Sequence, residues 1–534
     1  MKAPKLFLSL AAVAYALYAA AGSLVILHTN DTHSNIDPDQ NGAGGILQRK
    51  AIIDSVRKVE KNVILIDAGD IVQGTLYFKY FGGDVEYPLM NMMGYDIQIP
   101  GNHEFDNGIT ELAKHYKTLK ADKLSANYDF SGTPLQGIFQ PYVIKKVDGK
   151  KIGFIGLNVD PESLIAKKNI EGIGFSNIIQ TANRTAEFLK KQKKCDLVVA
   201  VTHIGYTPDS PGKDTDVDLA HASKDIDIII GGHSHTIVSP GTDGKYPSIV
   251  ENANGKNVLI TQTGKYGKNL GYIKIDIDNL KDTKDFEYKL IPVTDRFPES
   301  ELDKKMEQFI SHYREKVDSV NARQIAVSAF DLDSDNPNSG YANWAADYAR
   351  FTGQHTLDSI HSSDSSSHLP SKIDIGLMNV GGIRKSMPAG PVTEGQILST
   401  FPFANKMVIM TLSGQDFIDA MKVAAKRGGE GVSENIRVVV NPDNSIYKVV
   451  VDDHEIEPEK EYIVSTIDYL AEGNDDMTSL ANGKVIWTDD KEMAAPVMRY
   501  VEHFTKLGLP IAPDMNGRFV KKISFPSQEN DSAK

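Results

Sequence analysis

Leu24-Val25-Ile26-Leu27 runs into His28-Thr29-Asn30-Asp31-Thr32-His33. A four-residue apolar run that breaks into Asn, Asp and His reads as a buried strand ending in a polar turn. The same sentence is written four more times. Val63 to Ile66 precedes Asp67-Ala68-Gly69-Asp70, and Ile97 to Pro100 precedes Gly101-Asn102-His103-Glu104-Phe105-Asp106. Leu197 to Val201 precedes Thr202-His203, and Ile226 to Ile230 precedes Gly231-Gly232-His233-Ser234-His235. A further run, Ile152 to Leu157, completes the strand pattern, while Gly45 to Glu60, Ile109 to Leu119 and Asn177 to Lys191 carry helical periodicity. Alternation of this kind specifies an α/β core, in which parallel strands bring their carboxyl ends to one rim. A single His or Asp at a strand end is commonly a turn residue. Five strand ends carrying the same residue types predict a shared metal site built from Asp31, His33, Asp70, Asn102, His203, His233 and His235.

Imidazole, carboxylate and amide oxygen without sulfur suit Zn2+ or Mn2+ first, then Co2+ or Fe2+. Seven ligands exceed what one tetrahedral ion accepts, which predicts two divalent ions with one carboxylate between them. Two such ions outweigh the charge of Asp31, Asp70 and a hydroxide, so the site should attract a phosphate dianion. Phosphoester hydrolysis is the matching chemistry, since paired metals activate water and clamp phosphoryl oxygens. His103 and Asp106 are three residues apart near a helix start, where an Asp can fix an imidazole tautomer for acid/base work. Glu104 reads as a support to this group.

The rest of the chain frames that region. With 534 residues, two domains are expected. Hydrophobic residues at 41% and charged residues at 24% describe a soluble globular protein rather than a disordered one. A net charge of −13 argues against a nucleic-acid or anionic-membrane partner. Cys195 is the single cysteine, which excludes an intrachain disulfide and a thiolate cluster and leaves a small buried residue. Lys2, Lys5, the apolar stretch Leu6 to Ala20 and Ala19-Ala20-Ala21 form a signal-peptide pattern over 1–21. The stretch is short for a bilayer span, no later segment is long enough, and no cysteine marks a lipid anchor. These features predict an exported protein, periplasmic or extracellular, without a membrane span after cleavage. The first domain is expected at 22–297. Glu299 to Val320 reads as a helix with Leu302, Met306, Phe309, Ile310 and Tyr313 on one stripe, giving a linker helix at 298–323. A second α/β region follows at 324–524, and 525–534 reads as a disordered tail. Within it, His355 to His368, rich in Ser, Asp and His, reads as a solvated loop, with a loop metal site as its alternative.

Taken in order, Asn30-Asp31-Thr32-His33, Gly69-Asp70, Gly101-Asn102-His103-Glu104, Thr202-His203 and Gly232-His233-Ser234-His235 resemble the motifs of the 5′-nucleotidase/UDP-sugar hydrolase family, and the resemblance covers nearly the whole mature chain. It implies a four-layer αββα calcineurin-like metallophosphoesterase domain followed by an α/β nucleotide-binding domain. One metal would be held by Asp31, His33, Asp70 and His235, the other by Asp70, Asn102, His203 and His233, with His103 and Asp106 as the catalytic dyad. In the second domain, Asn379-Val380-Gly381-Gly382-Ile383-Arg384 resembles the family's Asn-x-Gly-Gly-x-Arg pattern and assigns Asn379 and Arg384 to the phosphate or ribose. Phe401-Pro402-Phe403-Ala404-Asn405 and Tyr469-Leu470-Ala471-Glu472-Gly473-Asn474-Asp475 resemble its base-stacking segments. Phe403 and Tyr469 would then sandwich the base, and Asp475 would accept from ribose hydroxyls. Without the resemblance both rings would read as core aromatics. Two departures stand out. Phe330 to Ala346 lacks the family's Arg, and the Gly-Gly-Asp loop reads Gly473-Asn474-Asp475-Asp476. One fewer cation favours monophosphates over di- and triphosphates.

The resulting expectation is an exported dimetal phosphohydrolase that converts nucleoside 5′-monophosphates, with UDP-sugars as further candidates, to nucleoside and phosphate, acting as a monomer or homodimer. The alternatives are a 2′,3′-cyclic-nucleotide phosphodiesterase/3′-nucleotidase and a non-catalytic nucleotide-binding surface protein.

Overall fold

The computed structural model describes residues 22–522 apart from 163, 208–212, 242–244 and 281. The segment read as a signal peptide (1–21) and the one read as a tail (525–534) lie outside the described residues. The chain divides at Glu315/Lys316 into two compact units.

The first unit holds strands β1 (Ser23–Thr29), β2 (Val63–Asp67), β3 (Ile97–Gln98), β4 (Asp122–Lys123), β5 (Tyr128–Asp129), β6 (Tyr142–Val147), β7 (Lys150–Asn158) and β8 (Gly174–Phe175). It continues with β9 (Leu197–His203), β10 (Ile228–Ile230), β11 (Ile249–Glu251), β12 (Asn257–Thr261), β13 (Asn269–Asp276) and β14 (Glu287–Pro292). One six-stranded sheet runs β14-β13-β1-β2-β3-β4 and the other β11-β12-β10-β9-β7-β6. Side chains alternate across a strand, so Leu24, Ile26, Ile64 and Ile66 of the first sheet meet Phe154, Val199, Val201, Ile228 and Ile230 of the second in one buried layer. On the opposite face of the second sheet, Val198, Ala200 and Ile229 pack with Ala182, Ala186 and Leu189 of helix Ile178–Lys191 and with Leu219 of helix Asp216–Ala222. Helices Ile46–Val59, Glu86–Met93 and Gly108–Thr118 bury apolar faces beside the first sheet, completing the αββα order. Each fully buried apolar side chain contributes about 1.5–3 kcal/mol, so this layering is the main stabilising term.

Parallel register sets the rim. Thr29 pairs with Asp67 and Asp67 with Gln98 in the first sheet. In the second, Asn158 pairs with His203, Val201 with Ile230 and Ile230 with Thr261. Both sheets therefore release their loops at the same end.

Several boundaries differ from those read in the sequence. Strand β3 stops at Gln98, because Pro100 has no N–H to give the ladder. Strand β10 begins at Ile228, not Ile226, and the Asp227 carboxylate takes the Val198 N–H at 2.7 Å instead. The charged helix starts at Lys304 rather than Glu299. Glu299–Glu301 forms a separate 3-10 turn, and Asp303 caps the helix by accepting from Lys305 and Met306 N–H at 2.9 and 3.1 Å. Met306 and Ile310 on its apolar stripe are fully buried. Cys195 lies in the outer core, where burial raises its thiol pKa.

The second unit contains β15 (Gln324–Ser328), β16 (Ile375–Met378), β17 (Gly390–Thr393), β18 (Lys406–Ser413), β19 (Gly431–Val432), β20 (Ile436–Val440), β21 (Ile446–Val451), β22 (His454–Glu455), β23 (Glu461–Ile467), β24 (Lys484–Glu492) and β25 (Phe519–Lys521). A five-stranded mixed sheet runs β19-β16-β23-β18-β24, a four-stranded one β22-β21-β20-β25, and β15 pairs with β17. Helix Gly340–Ser363, capped by the Ser339 hydroxyl, supplies Tyr341, Trp344, Ala345 and Tyr348 to the core. That helix takes in His355 to Ser363, so most of the segment read as a loop is helical; buried Leu357 extends the apolar face. The His361 ring nitrogens face the carbonyls of Leu357 and Leu369, and among the described residues no metal-type grouping forms there. No helix of the described residues is long and apolar enough to cross a membrane.

Arg518, buried just before β25, makes two 2.7 Å bonds to the Asp347 carboxylate of that long helix and a 2.6 Å bond to the Val432 carbonyl of β19. One guanidinium thus joins a helix and both sheets. Asp347→Ala leaves this charge buried and unpaired, and denaturant unfolding should show a loss of about 3–5 kcal/mol.

Candidate functional site

Two loops run side by side at the rim of the first sheet. The main-chain ladder of β1 and β2 continues beyond both strands, with Asp31 N–H on the Gly69 carbonyl at 2.9 Å and His33 N–H on the Asp70 carbonyl at 3.0 Å. Asp31 (φ 51°), His33 (φ 46°) and Asp70 (φ 56°) all adopt left-handed backbone, as do His233 (φ 79°) and His235 (φ 54°) in the loop after β10. Each such residue costs on the order of 1 kcal/mol, and strain of this kind persists where surrounding structure enforces it, characteristically at functional sites.

The seven residues read as ligands meet there. Asp31, His33 and His235 form one grouping of donor atoms, Asp70, His203 and His233 a second, and His33, Asp70 and His103 a third, each with its atoms within 4.8 Å of one another. His33 Nε2 and His235 Nε2 are 3.0 Å apart, and His235 Nε2 is 3.5 Å from Asp31 Oδ1. Asn102 Oδ1 lies 2.9 Å from His233 Nδ1, which places the amide with the second grouping.

Tautomers follow from the partners. A carbonyl can only accept, so His203 donates Nδ1–H to Ala68 at 2.7 Å, and His33 donates Nδ1–H to Val72 at 3.3 Å. Both present Nε2 inward. His203 Nε2 makes no hydrogen bond although Asp70 Oδ2 is 3.1 Å away. A buried nitrogen without a hydrogen bond, facing carboxylate oxygens and other imidazoles, is what a metal ligand requires.

Charge gives a second test of fit. Burial pushes the Asp31 carboxyl up to about 6 and Asp67 to about 8. Burial, then the charge of Asp70, lifts Glu104 to about 7, and burial lifts Asp216 to about 7. For Asp70 burial also pushes upward, but the neighbouring His203 and His103 outweigh it and hold the carboxyl well below its ordinary range. So many carboxyls in one dry volume call for added positive charge, and divalent cations would supply it.

Support comes from residues around the ligands. Glu104 accepts from the N–H groups of Asp70 (2.9 Å), Ile71 (2.8 Å) and Gly101, fastening two of the loops to one carboxylate. Gly101 and Gly232 are glycines for close approach. A Cβ on Gly101 would lie 2.7 Å from His203 Nε2 and nearer still to Asp70 Oδ1; one on Gly232 would lie 2.8 Å from the Ala68 oxygen. His103 donates Nδ1–H to Asp106 Oδ2 at 3.0 Å, the separation a positioned acid/base pair needs.

Some contributors carry no ligand-type signature. Asn30 accepts from Thr263 N–H and Oγ1 at 2.9 and 2.7 Å and donates to the Gly264 carbonyl. Gln262 donates to the Gly232 carbonyl at 2.8 Å. Asp216 accepts from Thr202 Oγ1 at 2.6 Å. Strand β12 is thus a further rim strand, and its Gln-Thr-Gly end concealed it.

The second unit gathers another set. Asp475, half-buried and left-handed (φ 56°), accepts from Asn379 Nδ2 at 2.7 Å and from the Tyr469 hydroxyl at 3.0 Å. Burial raises its carboxyl pKa. Asn379 Oδ1 is buried with no hydrogen-bond partner. The Arg384 guanidinium lies over the Phe403 ring, 5.8 Å from its centre. The five residues read in this unit therefore form a Tyr469–Asp475–Asn379 network and an Arg384–Phe403 pair.

With this geometry in place, the chain can be set beside known proteins. Residues 24–236 match the calcineurin-like phosphoesterase family and 321–482 the 5′-nucleotidase C-terminal domain. A 5′-nucleotidase of Vibrio cholerae is 30% identical over 493 residues, covering 85% of each chain. The trifunctional nucleotide phosphoesterase protein YfkN of Bacillus subtilis is 25% identical over 96% of this chain, which spans only 36% of that protein. The crystal structure of a 5′-nucleotidase precursor from Thermus thermophilus superposes with a TM-score of 0.78 at 26% identity, covering 94% of this chain and all of the other.

Glu104→Gln keeps the shape but removes the charged acceptor that gathers the Asp70 and Gly101 loops. Divalent-metal affinity, titrated calorimetrically into the metal-free protein, should fall about 10- to 100-fold.

Proposed function

The chain belongs to the 5′-nucleotidase family of calcineurin-like phosphoesterases, and on that premise we propose that it releases phosphate from nucleoside 5′-monophosphates outside the cytoplasm. The family makes it a metal-dependent phosphoester hydrolase acting on small nucleotides. The observation that carries the finer reading is the overlap of three donor groupings through His33 and Asp70, which supports two divalent ions rather than one. In this reading Asp31, His33, Asp70 and His235 hold one ion, and Asp70, Asn102, His203 and His233 the other. When bound, the metals supply an acidified water and Lewis-acid polarisation of the phosphoryl oxygens.

The remaining roles belong to the chain itself. His103 differs from His203 and His33 in giving its Nδ1–H to a carboxylate rather than to a carbonyl. Asp106 thereby fixes the ring, so Nε2 can stabilise the departing oxygen or give it a proton. In the second unit, Phe403 and Tyr469 offer faces to the base, Asp475 accepts ribose hydroxyls, and Asn379 and Arg384 contact the ribose or phosphate. The unpartnered Asn379 Oδ1 supports such a ligand. Export rests on the leader pattern of 1–21, and N-terminal sequencing of the secreted protein tests it.

A second reading, a phosphoesterase that also takes 3′ and 2′,3′-cyclic phosphates, is favoured by the likeness to a trifunctional nucleotide phosphoesterase. AMP, 3′-AMP, 2′,3′-cyclic AMP and UDP-glucose, assayed in parallel, separate the two. AMP should be the preferred substrate. His103→Ala should lower kcat for AMP about 10²- to 10⁴-fold with metal content retained, and an unaltered rate contradicts the assignment.

A further inference from the structure

The turn after helix Gly414–Lys426 reads Arg427-Gly428-Gly429-Glu430, with Gly428 and Gly429 both at positive φ (96° and 146°). It reaches two loops distant in sequence. Glu430, buried, accepts the Val380 N–H, next to Asn379. Arg427 donates to the Asp475 carbonyl at 2.9 Å and to Asp476 Oδ2 at 2.8 Å. The guanidinium therefore takes the main chain of Asp475 and the side chain of its neighbour, and leaves the Asp475 carboxylate to the neutral donors Asn379 and Tyr469.

This division of labour has a chemical consequence. An ionised carboxylate has about four acceptor sites, and the amide of Asn379 and the phenol of Tyr469 take two of those on Asp475, which leaves capacity for a sugar hydroxyl. Asp475 and Asp476 are both left-handed (φ 56° and 55°), and the two Arg427 bonds brace this stretch of backbone. Burial raises the Asp475 and Glu430 carboxyls, so the turn sits where unsatisfied charge is costly.

We propose that Arg427, paired with Asp476, is a positioning residue that sets affinity for the nucleoside part of the substrate by holding the main chain of the loop that carries Asp475, while Glu430 fixes the Asn379 loop. The proposal rests on the nucleotidase reading above and adds to it a specificity determinant that does not itself touch substrate. It also gives a reason for Asp476, the carboxylate that departs from the family's loop pattern.

The test compares AMP with p-nitrophenyl phosphate, a phosphomonoester lacking a nucleoside. Arg427→Met should raise KM for AMP about tenfold while kcat stays within about twofold. Arg427→Lys, which keeps the charge but not the fork, should fall in between, and Asp476→Asn should raise KM in the same direction. Turnover of p-nitrophenyl phosphate by Arg427→Met shows that the protein is folded and its metals are in place. An unchanged KM for AMP, or equal loss on both substrates, overturns the proposal. If the wild-type protein hydrolyses p-nitrophenyl phosphate but not AMP, the substrate reading fails instead. Hydrogen exchange of the Asn474 to Asp476 amides then decides the clamp: faster exchange in Arg427→Met upholds it and equal exchange removes it.

Discussion

The architecture of the first unit turns on a single carboxylate. Asp70 sits in left-handed backbone, its N–H on Glu104, Oδ1 accepting the His103 N–H at 2.9 Å and Oδ2 facing His203 and His33. Loops from three separate strand ends converge on it. Burial by itself would drive such a group to its neutral form, yet positive charge beside it, from imidazoles that are protonated in the metal-free protein, holds it ionised. The two-sheet core, the parallel register and the glycines without side chains are the means of holding that charge in a dry place.

The same economy explains why the site is rich in acceptors and poor in cations. Asp31, Asp67, Glu104 and Asp216 are all pushed upward by burial. Arg49 offsets only part of the charge at Asp67, and the carboxyls gathered with the histidines leave a deficit that divalent metal would fill. That deficit also reconciles an acidic chain with an anionic substrate: attraction for phosphate is generated locally by bound metal rather than by the net −13 of the surface.

Much of this was legible in the sequence because strand ends carrying His, Asp and Asn repeat, and parallel sheets leave them little choice of destination. Asp31, His33, Asp70, Asn102, His203, His233 and His235 all meet where that logic sends them. What stayed hidden had no residue-type signature. Asn30 and Gln262 act through amide hydrogen bonds that look in sequence like ordinary loop residues. Arg427 and Glu430 reach partners 48 and 50 residues away, a pairing that only the fold supplies. Boundaries slipped where one side chain decides: Pro100 ends a strand early, Asp303 starts a helix late, and Leu357 continues a helix through a polar stretch.

The claim on which the account depends most is that two divalent ions share Asp70, and anomalous X-ray scattering from crystals grown with Mn2+ tests it most directly. Two peaks are predicted, one beside Asp31, His33 and His235 and one beside Asn102, His203 and His233, with an Asp70 oxygen in contact with both. A single peak, or two peaks neither of which touches Asp70, would contradict it.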